Sequence, residues 1–132
     1  MNDAEAIRII RGEIPDVIAI YRFGSTVLGP THGESDIDLA VLAPVPLDPL
    51  RRFELQERLA VVLRRNVDLV DLRAASTVMR MQVVSQGVLL RAFDASAQES
   101  FEDHTYSAYA RLNEERKEIL EQVRREGTVY GR

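Results

Sequence analysis

The chain contains no cysteine among its 132 residues. This absence excludes disulfide bonds, zinc sites built on thiolates and a cysteine nucleophile. The sequence also lacks any apolar run near the roughly 20 residues that cross a bilayer, and its start lacks the basic and apolar stretches of a signal peptide. The net charge of −4 disfavours binding to polyanions. We therefore expect a cytoplasmic protein with no membrane partner and no direct nucleic-acid partner.

Length and composition predict one mixed α/β domain spanning residues 1–132. Hydrophobic residues make up 45% of the chain, which is enough to bury a core without covalent staples. Hydrophobic patterning predicts strands at 17–23, 35–42, 66–72 and 88–93, and helices at 3–12, 48–65, 74–86 and 96–126. We expect a core over about 14–93 and a C-terminal helical region over about 96–126, in which a break near Asn113 is left open.

Two helix starts carry explicit capping signals. Asp48 precedes Pro49, which predicts an N-cap followed by a proline in the first turn. Ser96 followed by Glu99 has the form of a capping box and predicts the start of the last helix. On the helix that Asp48 opens, the inward-facing candidates are Leu50, Phe53, Leu59, Val62 and Leu63.

The segment after the first strand has the composition of a turn, and such a turn could contact a phosphate. Gly24 and Ser25 end that strand, and two further glycines and Pro30 follow within nine residues. Glycine lets the backbone approach a phosphate closely, and a serine hydroxyl can bond a phosphate oxygen. A Gly-Ser pair alone is weak evidence, because most such pairs are ordinary turns.

Two aspartates share one face of the second strand. Side chains alternate along a strand, so Asp36 and Asp38 point the same way while Ile37 points the other way. Aspartate is a poor strand former and neighbouring like charges repel, so something should offset that cost. A divalent cation does so, and carboxylate oxygens suit Mg²⁺; a solvated strand start is the alternative explanation.

The strand at 66–72 offers a third carboxylate. Asp68 and Asp71 are separated by an odd step, so only one of them can face the Asp36 and Asp38 pair. We choose Asp68, because it lies within the apolar run, where an unpaired charge is costly. Asp71 stays open as the substitute, although capping the next helix would explain it. Three carboxylates can hold two metal ions roughly 3.5–4 Å apart for an in-line displacement at phosphorus.

Gly24-Ser25, ten residues, Asp36-Ile37-Asp38 and a later strand carboxylate together resemble the DNA polymerase β-like nucleotidyltransferases. Within that superfamily the chain is similar to the minimal nucleotidyltransferases, the antitoxins of HEPN-domain toxins. The resemblance implies a palm-like α/β fold with a mixed sheet, ATP as donor, two Mg²⁺ ions and AMP transfer to a tyrosine of the toxin, which silences its RNase activity. It further implies that Gly24, Ser25 and Ser35 bind the nucleotide, and that Asp36, Asp38 and Asp68 hold the metals and carry the catalysis.

Two other functions stay open. One is an antitoxin that acts by complex formation alone, and the other is a free-standing transferase acting on a small, aminoglycoside-like hydroxyl compound. The last helix could dock a partner through Phe101, Tyr109, Leu112, Ile119 and Val123, or pack on its own domain or in a homodimer. His32, Arg22 and Arg80 are weaker candidates for substrate contacts, and His104 with Tyr106 is interpreted as helix surface.

Overall fold

The computed structural model describes residues 3–24 and 36–127. It contains four helices and four strands interspersed along these residues, which confirms the predicted mixed α/β fold. In chain order they are α1 (Asp3–Glu13), β1 (Ala19–Phe23), β2 (Ile37–Leu42), α2 (Pro49–Leu63), β3 (Val67–Asp71), α3 (Thr77–Gln86), β4 (Val88–Ala92) and α4 (Ala95–Glu126). All eight lie where the hydrophobic patterning predicted them, within about three residues at each end.

The four strands form one sheet in the order β3-β2-β1-β4. β1 is antiparallel to both of its neighbours, whereas β2 and β3 run parallel. A parallel pair needs a crossover connection, and α2 supplies it. The crossover brings residues that lie about 30 positions apart in the sequence side by side at the same end of the sheet.

Each face of the sheet is covered by its own pair of helices. One face carries Ile20, Leu39 and Leu69 and packs against the apolar sides of α1 and α2. The other face carries Tyr21 and Ala40 and packs against α3 and α4. Because successive side chains of a strand point to opposite faces, the position of a residue along its strand decides which pair of helices it contacts.

The two predicted helix caps have different outcomes. Asp48 caps α2 as predicted, and its carboxylate accepts a hydrogen bond from the amide of Arg51 at 3.1 Å. The cap predicted at Ser96 is wrong, because Asp94 caps α4 and accepts from the amide of Ala97 at 3.1 Å. The amides of Phe93 and Asp94 both bond to the Ile18 carbonyl, which fixes the chain there and starts the helix earlier.

The predicted inward side of α2 is only partly right. Leu59 is fully buried, and Leu63 packs against the core. Leu50, Phe53 and Val62 were expected inside but are 63%, 49% and 41% exposed. A helix lying on a flat sheet buries one narrow stripe. That stripe is formed by Leu55 and Leu59, which lie one turn apart.

Only the first part of helix α4 packs against the rest of the described chain. Its 32 residues run without the break considered near Asn113 and extend for about 48 Å. All its buried residues, Gln98, Phe101 and Thr105, lie in the first third. The hydroxyl of Tyr21 on β1 donates a hydrogen bond to Glu102 at 2.7 Å and ties this third to the sheet. Within the part of the chain described above, no helix is long and apolar enough to span a membrane.

Candidate active site

Three adjacent strands contribute one row of side chains at the end of the sheet where β1 finishes. In this row Phe23 pairs with Asp38, and Asp38 pairs with Asp68. Paired residues on neighbouring strands project from the same face, and such strands lie about 4.8 Å apart. Asp38 and Asp68 therefore stand side by side on the face that α3 and α4 cover further along.

The electrostatics show that Asp36 belongs to the same group. The pKa of Asp38 is raised above its usual value, first by burial and then by the negative charges of Asp68 and Asp36. Asp38 is half-buried, while Asp36 and Asp68 are exposed. The structure thus brings the three predicted carboxylates within reach of one another's charge, and we call Asp36, Asp38 and Asp68 the acidic row. One premise was wrong: Asp68 is not enclosed by the apolar run.

Asp71 is the buried carboxylate of β3, and it faces the other way. It is 6% exposed and lies on the side of the sheet that packs against α1 and α2. Its two oxygens accept hydrogen bonds from the amides of Leu47 at 2.8 Å and Arg73 at 3.0 Å. It does not cap the next helix, because Ser76 does so. Asp71 therefore links the segment before α2 to the segment after β3, and it is not a substitute for Asp68.

Replacing Asp71 by alanine is expected to weaken the fold without touching the acidic row. Two partly buried amides would lose their acceptor, which costs about 1–3 kcal/mol. Urea unfolding should show this loss, while the transfer activity of the folded fraction should stay within about twofold of wild type. An equally stable variant would show that water replaces the carboxylate at no cost.

Gly24 lies against the carboxylate of Asp38. Its φ of +79° is in the left-handed region, which side chains other than glycine adopt at a cost. A Cβ at this position would come within 2.1 Å of Asp38 Oδ2 and 2.9 Å of its Cγ. Only a glycine therefore leaves room for that carboxylate. Ser25, Ser35 and His32, which were candidates for substrate contacts, lie outside the described residues.

The two arginine candidates are held by the fold itself. Arg22 forms a two-pronged contact with Asp3 at 3.0 and 3.2 Å. Arg80 donates to the carbonyl oxygens of Leu72 and Arg73. Sequence reasoning missed Asp3, because it lies 19 positions from Arg22 on another element. Neither arginine is directed at the acidic row.

The carboxylates do not form a complete cage by themselves. Among residues 3–24 and 36–127, no three His, Cys, Asp or Glu side chains converge as a preformed metal site. In addition, no described residue donates a hydrogen bond to Asp36, Asp38 or Asp68, and none forms an ion pair with them. As far as the described residues show, these carboxylates form a concentration of uncompensated negative charge beside Gly24. Such a site suits a ligand that brings positive charge and further oxygen atoms with it.

Comparison with known proteins assigns this geometry to a family. The family model described as polymerase beta, nucleotidyltransferase matches residues 5–95, which include the whole acidic row. The chain belongs to this nucleotidyltransferase family. The match confirms the resemblance inferred from Gly24, Asp36 and Asp38, and it ends where α4 begins.

Relatives of this nucleotidyltransferase include characterised toxin–antitoxin proteins. The protein adenylyltransferase MntA of Shewanella oneidensis is 45% identical over 123 residues, which are 93% of this chain and 88% of the relative. A solved toxin–antitoxin complex with AMP-PNP superposes with a TM-score of 0.84 at 45% identity, covering 93% of this chain and 98% of that one. A complex of the tri-AMPylated S. oneidensis HEPN toxin with its MNT antitoxin gives 0.77 at 42% identity, covering 92% and 94%.

Proposed function

We propose that this nucleotidyltransferase is a protein adenylyltransferase that moves AMP from ATP to a tyrosine hydroxyl of a HEPN-type toxin and so neutralises it. The observation that carries the proposal is the acidic row of Asp36, Asp38 and Asp68, with Gly24 against Asp38. The relatives support the donor and the acceptor, since one solved complex contains AMP-PNP and another a tri-AMPylated HEPN toxin. We propose the cytoplasm as the place of the reaction, because ATP is abundant there.

The residues of the row fit Mg²⁺ as the cofactor. Mg²⁺ is usually held by one or two carboxylates together with substrate phosphates and water, and not by an all-protein cage. Asp36, Asp38 and Asp68 supply hard oxygen ligands, and the raised pKa of Asp38 marks a site where a cation would relieve repulsion. When bound there, Mg²⁺ would neutralise triphosphate charge and make the acceptor hydroxyl easier to deprotonate, and we propose two ions.

Gly24 and its neighbours on one side, and the acidic row on the other, have different parts in the transfer. Gly24, with Ser25 and Ser35 as proposed contacts, binds the triphosphate so that the α-phosphorus faces the acceptor. The tyrosine oxygen forms a bond to that phosphorus, the bond to the β-phosphate oxygen breaks, and pyrophosphate leaves. The exposed Asp68 accepts the proton of the tyrosine hydroxyl on the acceptor side.

The open position of the row favours a macromolecular acceptor. Asp36 and Asp68 are exposed, and the described residues include no second lobe that could enclose a small substrate. A small hydroxyl compound would need a pocket that buries most of its surface. A partner protein brings its own surface to close the site. The open site therefore suits the toxin better than an aminoglycoside-like acceptor.

Labelling with radioactive ATP tests the proposal. The chain, its toxin and Mg²⁺ are incubated with ATP labelled either at the α-phosphate or at the γ-phosphate. We expect label on the toxin only from the α-labelled donor, no transfer after chelation of divalent ions, and loss of the labelled site when the acceptor tyrosine is changed to phenylalanine. Toxin RNase activity should fall in step with labelling.

The remaining functions predict different results. If the toxin is inhibited at equal concentration without any label, the chain acts by complex formation and the transferase proposal is wrong. Label on an aminoglycoside with no toxin present would support the small-molecule transferase instead. Asp16→Asn is the matched control, because Asp16 is an exposed aspartate before β1, at the other end of the sheet. This variant should label the toxin at the wild-type rate.

A further inference from the structure

A second charged feature lies between α3 and α4, away from the acidic row. It is a groove with a volume of about 360 Å³, lined by Arg73, Arg80, Ala97, Ser100, Phe101 and His104. Arg73 lies two residues after the end of β3, so the groove is at the opposite end of that strand from Asp68, at a distance of roughly 15 Å. Its volume falls within the roughly 300–1,000 Å³ of small-molecule sites.

The two arginines of the groove are fixed in place. Nε of Arg73 donates to the Ala43 carbonyl at 2.7 Å, and Arg80 donates to two carbonyls at 2.7 and 2.8 Å. Both guanidinium groups also pack near the buried ring of Phe101, at 5.6 and 5.5 Å from its centroid. A surface arginine normally loses side-chain entropy when it binds a ligand, and these two have lost much of it already.

No carboxylate among residues 3–24 and 36–127 neutralises the positive charge of the groove in a salt bridge. None of the residues that line it is acidic. No carboxylate of the described chain forms a salt bridge with Arg73 or Arg80. Several N–H groups of the two guanidiniums therefore have no acceptor among the described residues. Ser100 and His104 add a hydroxyl and an imidazole on the α4 side.

We propose that this groove is a binding site for a phosphoryl group, separate from the acidic row. Two anchored guanidinium groups match the charge and geometry of a dianion with three terminal oxygens better than those of a single carboxylate. The hydroxyl of Ser100 completes the set of donors. The phosphoryl group belongs either to free phosphate or to a nucleoside monophosphate, and the chemistry of the site is the same for both.

The proposal is tested by introducing a carboxylate into the groove, where it would occupy the place of the phosphoryl group. Ser100 is exposed on α4, so Ser100→Glu places a carboxylate beside both arginines without disturbing the core. Ser107→Glu makes the same change on the same helix outside the groove and is the matched control. Thermal unfolding is measured without divalent ions in phosphate, AMP, adenosine, acetate and chloride at equal ionic strength.

We expect phosphate to raise the unfolding midpoint of wild type and Ser107→Glu by roughly 2–4 °C over chloride at saturating concentration. Ser100→Glu should unfold at a higher temperature than Ser107→Glu in chloride and should lose at least two thirds of the phosphate response. Arg73→Gln should lose the response as well. A stronger response to AMP than to phosphate names a nucleotide as the ligand, and equal responses name free phosphate.

Three outcomes would overturn the proposal. In the first, phosphate acts no more strongly than chloride on the wild type. In the second, Ser100→Glu responds as fully as Ser107→Glu, which would place the bound anion elsewhere, for example beside Gly24. In the third, acetate matches phosphate, which would make the groove a carboxylate site. None of these outcomes bears on the labelling experiment with the toxin, so the two proposals fail independently.

Discussion

Replacing Asp36 and Asp38 together by asparagine should lower AMP transfer to the toxin by roughly 1,000-fold or more, because the row then loses two of its three charges. Asparagine keeps the shape of the side chain but cannot offset the charge of a cation. The rate is measured from α-labelled ATP under conditions in which the wild type is linear with time. Asp16→Asn is assayed alongside and should be unaffected.

The same double variant should not be less stable than the wild type, and this separates lost chemistry from lost folding. The pKa of Asp38 is raised from 3.8 in the folded chain, so ionised Asp38 disfavours the folded state. The protonated carboxyl of Asp38 is the form that the folded chain favours. This contribution to stability is fully present below pH 3.8 and is lost as the pH rises through the raised pKa of the folded state. At pH 7 without divalent ions, we expect the variant to unfold roughly 1–3 °C higher.

Two further measurements complete this prediction. Mg²⁺ should raise the unfolding midpoint of the wild type and leave that of the double variant unchanged. Below a pH of about 3.8, where Asp38 is protonated in both states, the difference between the two proteins should disappear. A double variant that still labels the toxin at a tenth of the wild-type rate would exclude this pair as the metal ligands.

Gly24→Ala should lower AMP transfer by about 100-fold while the chain stays folded. The new Cβ would lie 2.1 Å from Asp38 Oδ2, so the carboxylate must move. A displacement of about 1 Å at reacting groups can cost about 100-fold in rate. The φ of +79° adds a backbone cost of about 1–2 kcal/mol for a residue with a side chain. Labelling rates and urea unfolding measure the two effects separately.

Gly12→Ala is the matched control for this substitution. Gly12 lies in α1, and no atom lies within 4 Å of the position that a Cβ would take. Alanine in a helix is more favourable than glycine by about 0.5–1 kcal/mol, so this variant should gain stability and keep its activity. If Gly24→Ala retained full activity, the close approach of Gly24 to Asp38 would have no part in the reaction.

Much of the fold was predictable because each element carries a local signal. Alternation marked β1 and β2, and Asp48 with Pro49 marked the start of α2. The errors occurred where two local signals competed. Asp94 and Ser96 are equally good caps, and a backbone contact with Ile18 decides between them. On α2 the apolar residues spread around much of the helix, and only packing on the sheet selects Leu55 and Leu59.

The acidic pair was predictable from the sequence, but the choice of its partner was not. Strand alternation required that either Asp68 or Asp71 face the pair and could not say which. The register in which Asp38 meets Asp68 depends on how α2 returns the chain to the sheet, a tertiary property. Burial was the wrong reason to choose Asp68, because Asp71 is the buried residue and two backbone amides satisfy its charge.

The in-register pairing of β2 with β3 also determines where the chain tolerates insertions and deletions. Asn66 and its two preceding residues connect α2 to β3, and a change of length there can be absorbed before the strands pair. A residue inserted between Val67 and Asp68 would instead turn the carboxylate towards α1 and α2 and bring apolar side chains out to the solvent. Homologous enzymes should therefore vary in length in the loops that flank these strands and hold the spacing within them constant.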